Sequence, residues 1–516
     1  MLKRNSYLIF SLLFSLISAC YVEHRVFLDL TAVNNDVRNQ IYWIAHLVDP
    51  TLFPKDFIAS YFSQDYLISP ILKALYAIAT HWISPLQFSQ FLPFVLVLLS
   101  TFYLFKLAEL YAGYHYAFWI SFTFNLYIWV IRNLAGGLPR AFFYPLFFLF
   151  LWLLTSKRYA WIILCFYLQV LIYPPAFFLS LLILFVELFL DRTKNLIQPI
   201  QTFNISLGLI GSFLILAYRY IMVPKSKYNF GALITIKEAL TMPEFYQDGR
   251  VKIFPIQYEL INTGIDTFRP FDRFLIVIIS SLIFLVFVIM AYKQFLKLRY
   301  ASTFVPRYIW STAACSIILY ILAFPCMFYL YVPDRYIYYS LPLVVVFFGG
   351  SLLYQLESFL KSKRYISWIV ALLILLIVSH FWKEDLINLN GKEKAVYSYF
   401  RNVSKSAVIA APIKVANNIP AFSYRKVLFS YEANIPFHSI YEEEIETRIK
   451  KWKRAYYARN PSNIKKFTQR YHIDYLVVDR KDFKTKTNSY FAQKIPNVCK
   501  AFTAGQYTVI SAQKCF

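Results

Sequence analysis

The segment TAVNNDVRNQIYWIAHLVDPTLFPKD, Thr31 to Asp56, follows the first apolar stretch and holds Asp36, Arg38, Asp49, Lys55 and Asp56, with Glu23 and Asp29 just before them. So dense a polar loop beside a hydrophobic segment is either a water-facing connection or the floor of a reaction site. Val37, Ile41, Ile44 and Leu47 fall near one face of a helix, which puts Asp36 in its first turn. A helix N-terminus favours an acidic residue, so capping is the plain alternative to chemistry. Two arginines stand at the ends of apolar stretches: Arg140 in GGLPRAFFYPL, behind Gly136-Gly137, and Arg335 in VPDRYIYYSLPL. An ionised side chain at such depth is costly unless it is paired or faces a wet cavity; the alternative is an arginine snorkelling to lipid headgroups. A carboxylate can take a proton and a guanidinium can hold a phosphate. Arg219, and Arg250 in EFYQDGRVKIF with Glu244 and Asp248, are weaker candidates.

The elements that must position these groups follow from composition. The chain has 516 residues, 59% of them hydrophobic and 20% aromatic, and its mean hydropathy is +0.48. Stretches of about 20 apolar residues recur, each long enough to cross the bilayer. Backbone groups in lipid must be satisfied internally, so these stretches are helices. The expected class is a polytopic α-helical membrane protein.

Positive clusters at Lys3-Arg4, Lys157-Arg158, Arg192/Lys194, Lys293/Lys297/Arg299 and Lys361/Lys363/Arg364 are placed inside. About eleven spans then fit: 7–22, 88–106, 113–131, 140–155, 159–174, 176–190, 202–221, 274–293, 308–331, 336–356 and 366–382. The N-terminus is cytoplasmic in this arrangement. Loop 23–65, loop 222–272 and everything after Lys383 lie outside. Residues 66–84 carry Lys73 and His81 and are expected as an amphipathic helix at the outer interface. The first helix is expected as an uncleaved anchor, with LISAC ending at Cys20 as a lipoprotein signal the alternative.

The chain divides into a transmembrane module, 1–382, and an external α/β domain, 383–516. In the second, SAVIAAP, RKVLFS and DYLVVD have strand character, while YEEEIETRIKKWKRAYYARN and SNIKKFTQRYH have helical character. Net charge is +25, and from Lys383 onward 24 Lys+Arg stand against 11 Asp+Glu, about half the excess. No nucleic-acid motif accompanies it, so the charge is assigned to topology and to anionic lipid or glycan.

The six cysteines lack zinc-ligand spacing. Cys499 and Cys515 flank a hairpin-like stretch and form a disulfide if that end is in an oxidising compartment; two free thiols are the other reading. The 51 Phe and 42 Tyr are packing and interfacial anchors. Glu432, His438 and Tyr441 are close in sequence and are taken as structural.

The layout resembles the GT-C superfamily, polytopic glycosyltransferases that use polyprenyl-phosphate sugars, including protein O-mannosyltransferases and lipid A aminoarabinose transferases. The features that carry the resemblance are the first helix, the long loop with Asn35-Asp36-Val37-Arg38 running to Tyr42, the helix beginning near Ser69-Pro70, and the Arg335-Tyr336 stretch. It implies Asp36 as the catalytic base or acceptor-positioning residue, with Asp49 and Asp56 in reserve. Beside it, Arg140, Arg335, whose stretch resembles one common in these transferases, and Arg38 are expected at the donor phosphate, and the weaker candidates Glu244, Asp248 and Arg250 near the acceptor. The superfamily often has two adjacent acids where this chain has Asn35-Asp36. That departure weakens a metal-chelating pair; no metal ligands are assigned, and a divalent cation is the one cofactor kept open.

The implied reaction moves a sugar from a polyprenyl-phosphate donor to a lipid, glycan or protein acceptor on the outer face, with inversion. A bacterial inner membrane is implied, with membrane lipids and no nucleic acid as partners. A transporter or flippase of a lipid-linked intermediate is the rival reading, although no internal repeat of the kind it would want is evident. A non-catalytic envelope assembly protein is the third.

Overall fold

The computed structural model describes residues 2–64, 67–131, 134–192, 199–218, 229–246, 249–251, 253, 305–359, 365–380, 382, 386–483, 489–493 and 495–516. The expected span 274–293, the cationic clusters at 293–299 and 361–364, Arg219 and Asp248 lie outside the described residues.

Apolar runs fold into helices wherever they are described. Three are long and apolar enough to cross a membrane: Arg4–Val22, Pro85–Ile128 and Pro342–Phe359. Seven further apolar helices have 10–17 residues. The first helix, Leu2–Val22, lies along the long helical stretch Pro85–Ile131. That stretch breaks at Ala112–Gly113, where Gly113 has φ +80°. Glycine reaches this left-handed conformation without the clash a Cβ would bring. Phe143–Thr155, Tyr159–Ile172 and Pro174–Arg192 follow as neighbours, and Arg307–Ala323 packs against the last of these. Two buried carboxylates inside the bundle accept from neighbouring helices: Trp119 donates to Glu357 at 2.8 Å, and Ser311 to Glu187 at 2.7 Å.

The segment 66–84 contains the helix Pro70–Ala79, N-capped by Ser69. Ten residues make about 15 Å of helix, half the hydrocarbon thickness. Leu72 and Tyr76 point into the core, whereas Leu75 and Ile78 are exposed.

The C-terminal residues form a five-stranded sheet: β1 (Val408–Ala410), β2 (Lys426–Val427), β3 (Tyr475–Asp479), β4 (Lys500–Ala504) and β5 (Tyr507–Ser511), in order β2-β1-β3-β5-β4. The first three strands are parallel, and β5 and β4 add antiparallel. The β4–β5 hairpin turns at Gly505, φ +59°. Cys499 and Cys515 are joined by a disulfide, Cα–Cα 4.7 Å. The helices Gly391–Arg401, Ser439–Tyr456 and Pro461–Arg470 bury Phe400, Ile445, Ile449, Trp452 and Ile464 in the core shared with the sheet.

The first loop is wedged between bundle and sheet. Ile387 N donates to Val33 O at 2.9 Å, and Tyr61 stacks on Tyr441 with ring centroids 3.5 Å apart. Lys394 pairs with Asp29 at 2.8 Å and Lys405 with Asp49 at 2.6 Å. Tyr42, Tyr61 and Tyr441 are fully buried here, each contributing on the order of 2 kcal/mol by removing ring surface from water. The loop is thereby held as a floor.

Candidate active site

Asp36 stands at the start of a short helix, Val37–Gln40, but its side chain makes no cap bond. Asn34 does the local work, its Oδ1 accepting from Asp36 N at 3.1 Å. Val37 and Ile41 are buried and fix the helix against the bundle, and Ile44 is buried beyond them. Leu47 departs from the expected face and is exposed, because the helix gives way to a tighter turn over Tyr42–Ile44. The Asp36 carboxylate is thus turned away from its own helix and toward residues far along the chain.

Arg140 reaches it from the turn Pro139–Phe142. The approach depends on Gly136, φ +82°, where a Cβ would lie 2.7 Å from Val37 Cγ2 and 2.9 Å from Asn34 Cβ. Arg140 Nη1 donates to Asp36 Oδ2, and Nη2 lies 3.5 Å from Asn34 Oδ1. Tyr76 donates its hydroxyl to Gly137 O at 3.1 Å and ties the glycine turn to the helix Pro70–Ala79.

Three more guanidiniums surround the pair. Arg250 Nη2 is 3.7 Å from Asp36 Oδ1 and 2.7 Å from Glu432 Oε2. Arg38, buried, pairs with Glu432 Oε1 at 3.1 Å and donates to Asn418 Oδ1 at 2.7 Å. Arg335, in the turn Pro333–Tyr336, donates to the Tyr339 hydroxyl and lies close enough to act electrostatically on Asp36. Burial pushes the Asp36 carboxyl up, but Arg140, with Arg250 and Arg335 behind it, outweighs burial and holds its pKa at about 2.

Four guanidiniums against two carboxylates leave this cluster of six groups with surplus positive charge, a setting that favours an anion with several oxygens. Asp36 and Arg140 are brought together, with Arg250 and Arg335 beside them. Arg250 stands with the guanidiniums, while Glu244, from the same segment, points to Glu442 and Glu446. Asp49 lies in its pair with Lys405, and Asp56 caps the helix Phe57–Phe62, its Oδ1 accepting from Ile58 N at 3.1 Å.

Glu432 was assigned by sequence to a structural trio, and the structure divides that trio. His438 bonds Tyr61 Oη at 3.0 Å and Tyr441 donates to Ala433 O at 2.9 Å, both within the packed floor. Glu432 instead faces Arg38 and Arg250. Asn418 has no distinguishing local pattern, and only the fold brings 418 and 432 to the first loop.

A cavity of about 610 Å³ lined by Leu30, Asp49, Leu86, Arg401, Lys405 and Tyr424, among others, is separate from this cluster: none of Asp36, Arg140, Arg250 and Arg335 lines it. Among the described residues, one group of acids has metal-ligand proximity: Glu244, Glu442 and Glu446, with oxygens within 4.8 Å of one another.

Fold and site define a mostly helical protein with three helices, among the described residues, long and apolar enough to cross a membrane, and an acid–guanidinium cluster between its first loop, the helices and a C-terminal sheet. The chain matches no protein-family model and no curated protein. Solved structures similar to it include forms of the oligosaccharyltransferase of Archaeoglobus fulgidus. The complex with Zn and sulfate aligns at 13% identity and TM-score 0.49, covering 92% of this chain and 68% of that one. The form with an inhibitory peptide and a dolichol-phosphate gives 14%, 0.44, 95% and 70%, and the apo form 13%, 0.47, 95% and 70%.

Proposed function

We propose that this chain is an integral membrane glycosyltransferase that moves a sugar from a polyprenyl-phosphate donor to a hydroxyl-bearing lipid, glycan or protein acceptor at the outer membrane face. The observation that carries the reading is the convergence of Asp36 with Arg140, Arg250 and Arg335 at one end of the bundle. The acceptor oxygen attacks the anomeric carbon, and the bond from that carbon to the phosphate oxygen breaks. The electron pair leaves on the phosphate, where guanidinium groups stabilise it. The acceptor proton passes to the Asp36 carboxylate. A single displacement inverts the anomeric centre.

Paired with Arg140, a carboxylate of pKa about 2 is a weak base. A donor phosphate drawing Arg140 to itself relieves that pairing and raises the basicity of Asp36, so base and donor are coupled. Arg38, held by Glu432 and Asn418, orders the floor beneath the phosphate. The cationic clusters at the ends of the spans support an inside assignment for the opposite face.

The test is transfer by the purified full-length protein of label from a radiolabelled polyprenyl-phosphate sugar to a mixed acceptor extract. Label recovered in a non-prenyl product supports the reading. Label that crosses a vesicle membrane without bond cleavage would replace it with transport.

A further inference from the structure

We propose that the cavity between Leu30, the start of the long helix at Ser84 and Gln87, and the C-terminal segments around Arg401 and Arg425 binds one anionic phospholipid. Its phosphate would sit in the cavity and its acyl chains along the helix. Three cations, Arg401, Lys405 and Arg425, line the cavity against one carboxylate, Asp49, which Lys405 already holds at 2.6 Å. The fold gathers them. Arg401 ends the helix Gly391–Arg401, Lys405 comes shortly before β1 and Arg425 immediately before β2, and these two strands pair in parallel with Val408 beside Lys426. At about 610 Å³ the cavity falls within the range of small-molecule sites, about 300–1,000 Å³.

Arg425 is the sign that an anion belongs there. It is 6% exposed, yet among the described residues no carboxylate pairs with it. Its Nε donates to Val403 O at 3.0 Å, Nη1 to Tyr424 O at 3.0 Å and Ser423 O at 3.2 Å, and Nη2 to Arg401 O at 2.6 Å. Main-chain carbonyls thus satisfy its hydrogens and leave its charge without a counterion. Burial lowers its pKa, and no acid offsets that. Arg401 supplies the donors that Arg425 has spent. Its Nε donates to Phe422 O at 2.7 Å, while its two Nη groups make no hydrogen bond among the described residues and can hold a phosphate. The long helix turns its positive end to the same cavity, capped by Ser84, whose Oγ accepts from Gln87 N at 3.2 Å.

Spacing along the helix supplies the hydrocarbon half. Gln87 lines the cavity, and Phe91, Val95 and Leu99 succeed it at four-residue intervals, all exposed, while Leu92 and Leu96 beside them are buried. A second apolar track, Phe27 and Leu30, is also exposed, and its Phe27 ring lies 6.4 Å from that of Phe91. Two adjacent tracks leaving one cationic cavity suit a diacyl lipid; a soluble anion would use the cations and leave both tracks bare. Trp82, exposed two residues before Ser84, stands where an indole sits at a bilayer interface. None of Asp36, Arg140, Arg250 and Arg335 lines this cavity, so the lipid site does not depend on the transfer reaction.

The experiment delipidates full-length protein in a neutral detergent and titrates it with phosphatidylglycerol, bound lipid being counted by native mass spectrometry. The wild type is expected to take up one phosphatidylglycerol and to bind phosphatidylcholine at least tenfold more weakly. Binding of phosphatidylglycerol is expected to weaken at least tenfold in R401Q/K405Q, as the loss of a charge-assisted hydrogen bond implies, and to survive in R401K/K405R, which keeps both charges. It is also expected to survive in R140Q, which separates this site from the Asp36 cluster. Equal binding by the wild type and R401Q/K405Q overturns the proposal, as does phosphatidylcholine bound as tightly as phosphatidylglycerol. Displacement of the lipid by inorganic phosphate overturns it by reducing the site to an anion pocket. Tighter binding of a polyprenyl phosphate that R401Q/K405Q abolishes overturns it by making the cavity a prenyl-lipid site.

Discussion

Arg140 and Asp36 are 104 positions apart and form an ion pair, with Asn34 held against both. The pair explains why an aspartate at a helix start leaves its own helix uncapped: its charge is held by Arg140. In the proposed reaction it couples donor to base, because a phosphate that draws on Arg140 loosens its hold on Asp36.

Asp36→Asn should therefore fold and fail to transfer. Asparagine keeps the shape and a hydrogen-bond acceptor for Arg140, so the bundle survives, whereas the proton acceptor is lost. Loss of a general base typically slows a reaction by about 10²–10⁴-fold. Single-turnover transfer at saturating donor is the measurement; an unchanged rate in folded protein removes Asp36 from the mechanism.

Gly136→Ala tests the approach that makes the pair. The added Cβ meets Val37 Cγ2 at 2.7 Å and Asn34 Cβ at 2.9 Å, on a backbone of φ +82°. Strain of this kind costs about 1–3 kcal/mol. A lower thermal midpoint and reduced transfer are expected together. Gly113→Ala, with φ +80° but nothing within 4 Å of the added Cβ, should lose stability without a selective loss of transfer.

The parts of the site that the sequence made visible are those announced by local contrast. Asp36 stands out in a polar loop after an apolar run, and Arg140 and Arg335 at the ends of spans, because charge beside hydrocarbon is rare. The strands at 408–410, 426–427 and 475–479 lie in the segments SAVIAAP, RKVLFS and DYLVVD that have strand character, and the terminal hairpin in the hairpin-like stretch between Cys499 and Cys515. Glu432 is noticed in the sequence only as part of a structural trio with His438 and Tyr441, because a glutamate in a polar segment carries no contrast that marks it as a partner of Arg38 and Arg250. The number of membrane crossings is likewise not given by hydropathy alone, since several apolar helices are shorter than 18 residues and the long stretch Pro85–Ile131 is divided only by a glycine.

Asp56 gives a stability signature with the opposite sign from Asp36. Burial raises its carboxyl to about 6 from the ordinary 3.8, against hydrogen bonds from Ile58 N and Ala59 N and the nearby Lys426 and Arg448. A raised folded-state pKa contributes stability that is fully present below about pH 4 and lost as pH rises through about 6. Asp56→Asn keeps the cap on Ile58 N and removes the buried charge. It should exceed the wild type at pH 7.5 by about 3 kcal/mol and match it at pH 4, read as thermal midpoints. For Asp36, whose folded pKa of about 2 lies below 3.8, the contribution is present above about pH 4 and lost as pH falls through 2.

Glu432→Gln asks what the second carboxylate of the cluster does. Glu432 Oε2 lies 2.7 Å from Arg250 and Oε1 3.1 Å from Arg38, so it occupies guanidinium edges that a donor phosphate would use. If it acts as an internal anion in competition with donor, its neutralisation lowers the donor KM about fivefold, equivalent to about 1 kcal/mol, and leaves kcat within about twofold. If it instead holds the two arginines in place, the same substitution raises the donor KM and lowers kcat together. The surplus of guanidinium over carboxylate favours the first outcome, since Arg140 and Arg335 remain to orient the phosphate once Glu432 no longer claims Arg250. A rise in KM sinks the competition and makes Glu432 a positioning residue for Arg250.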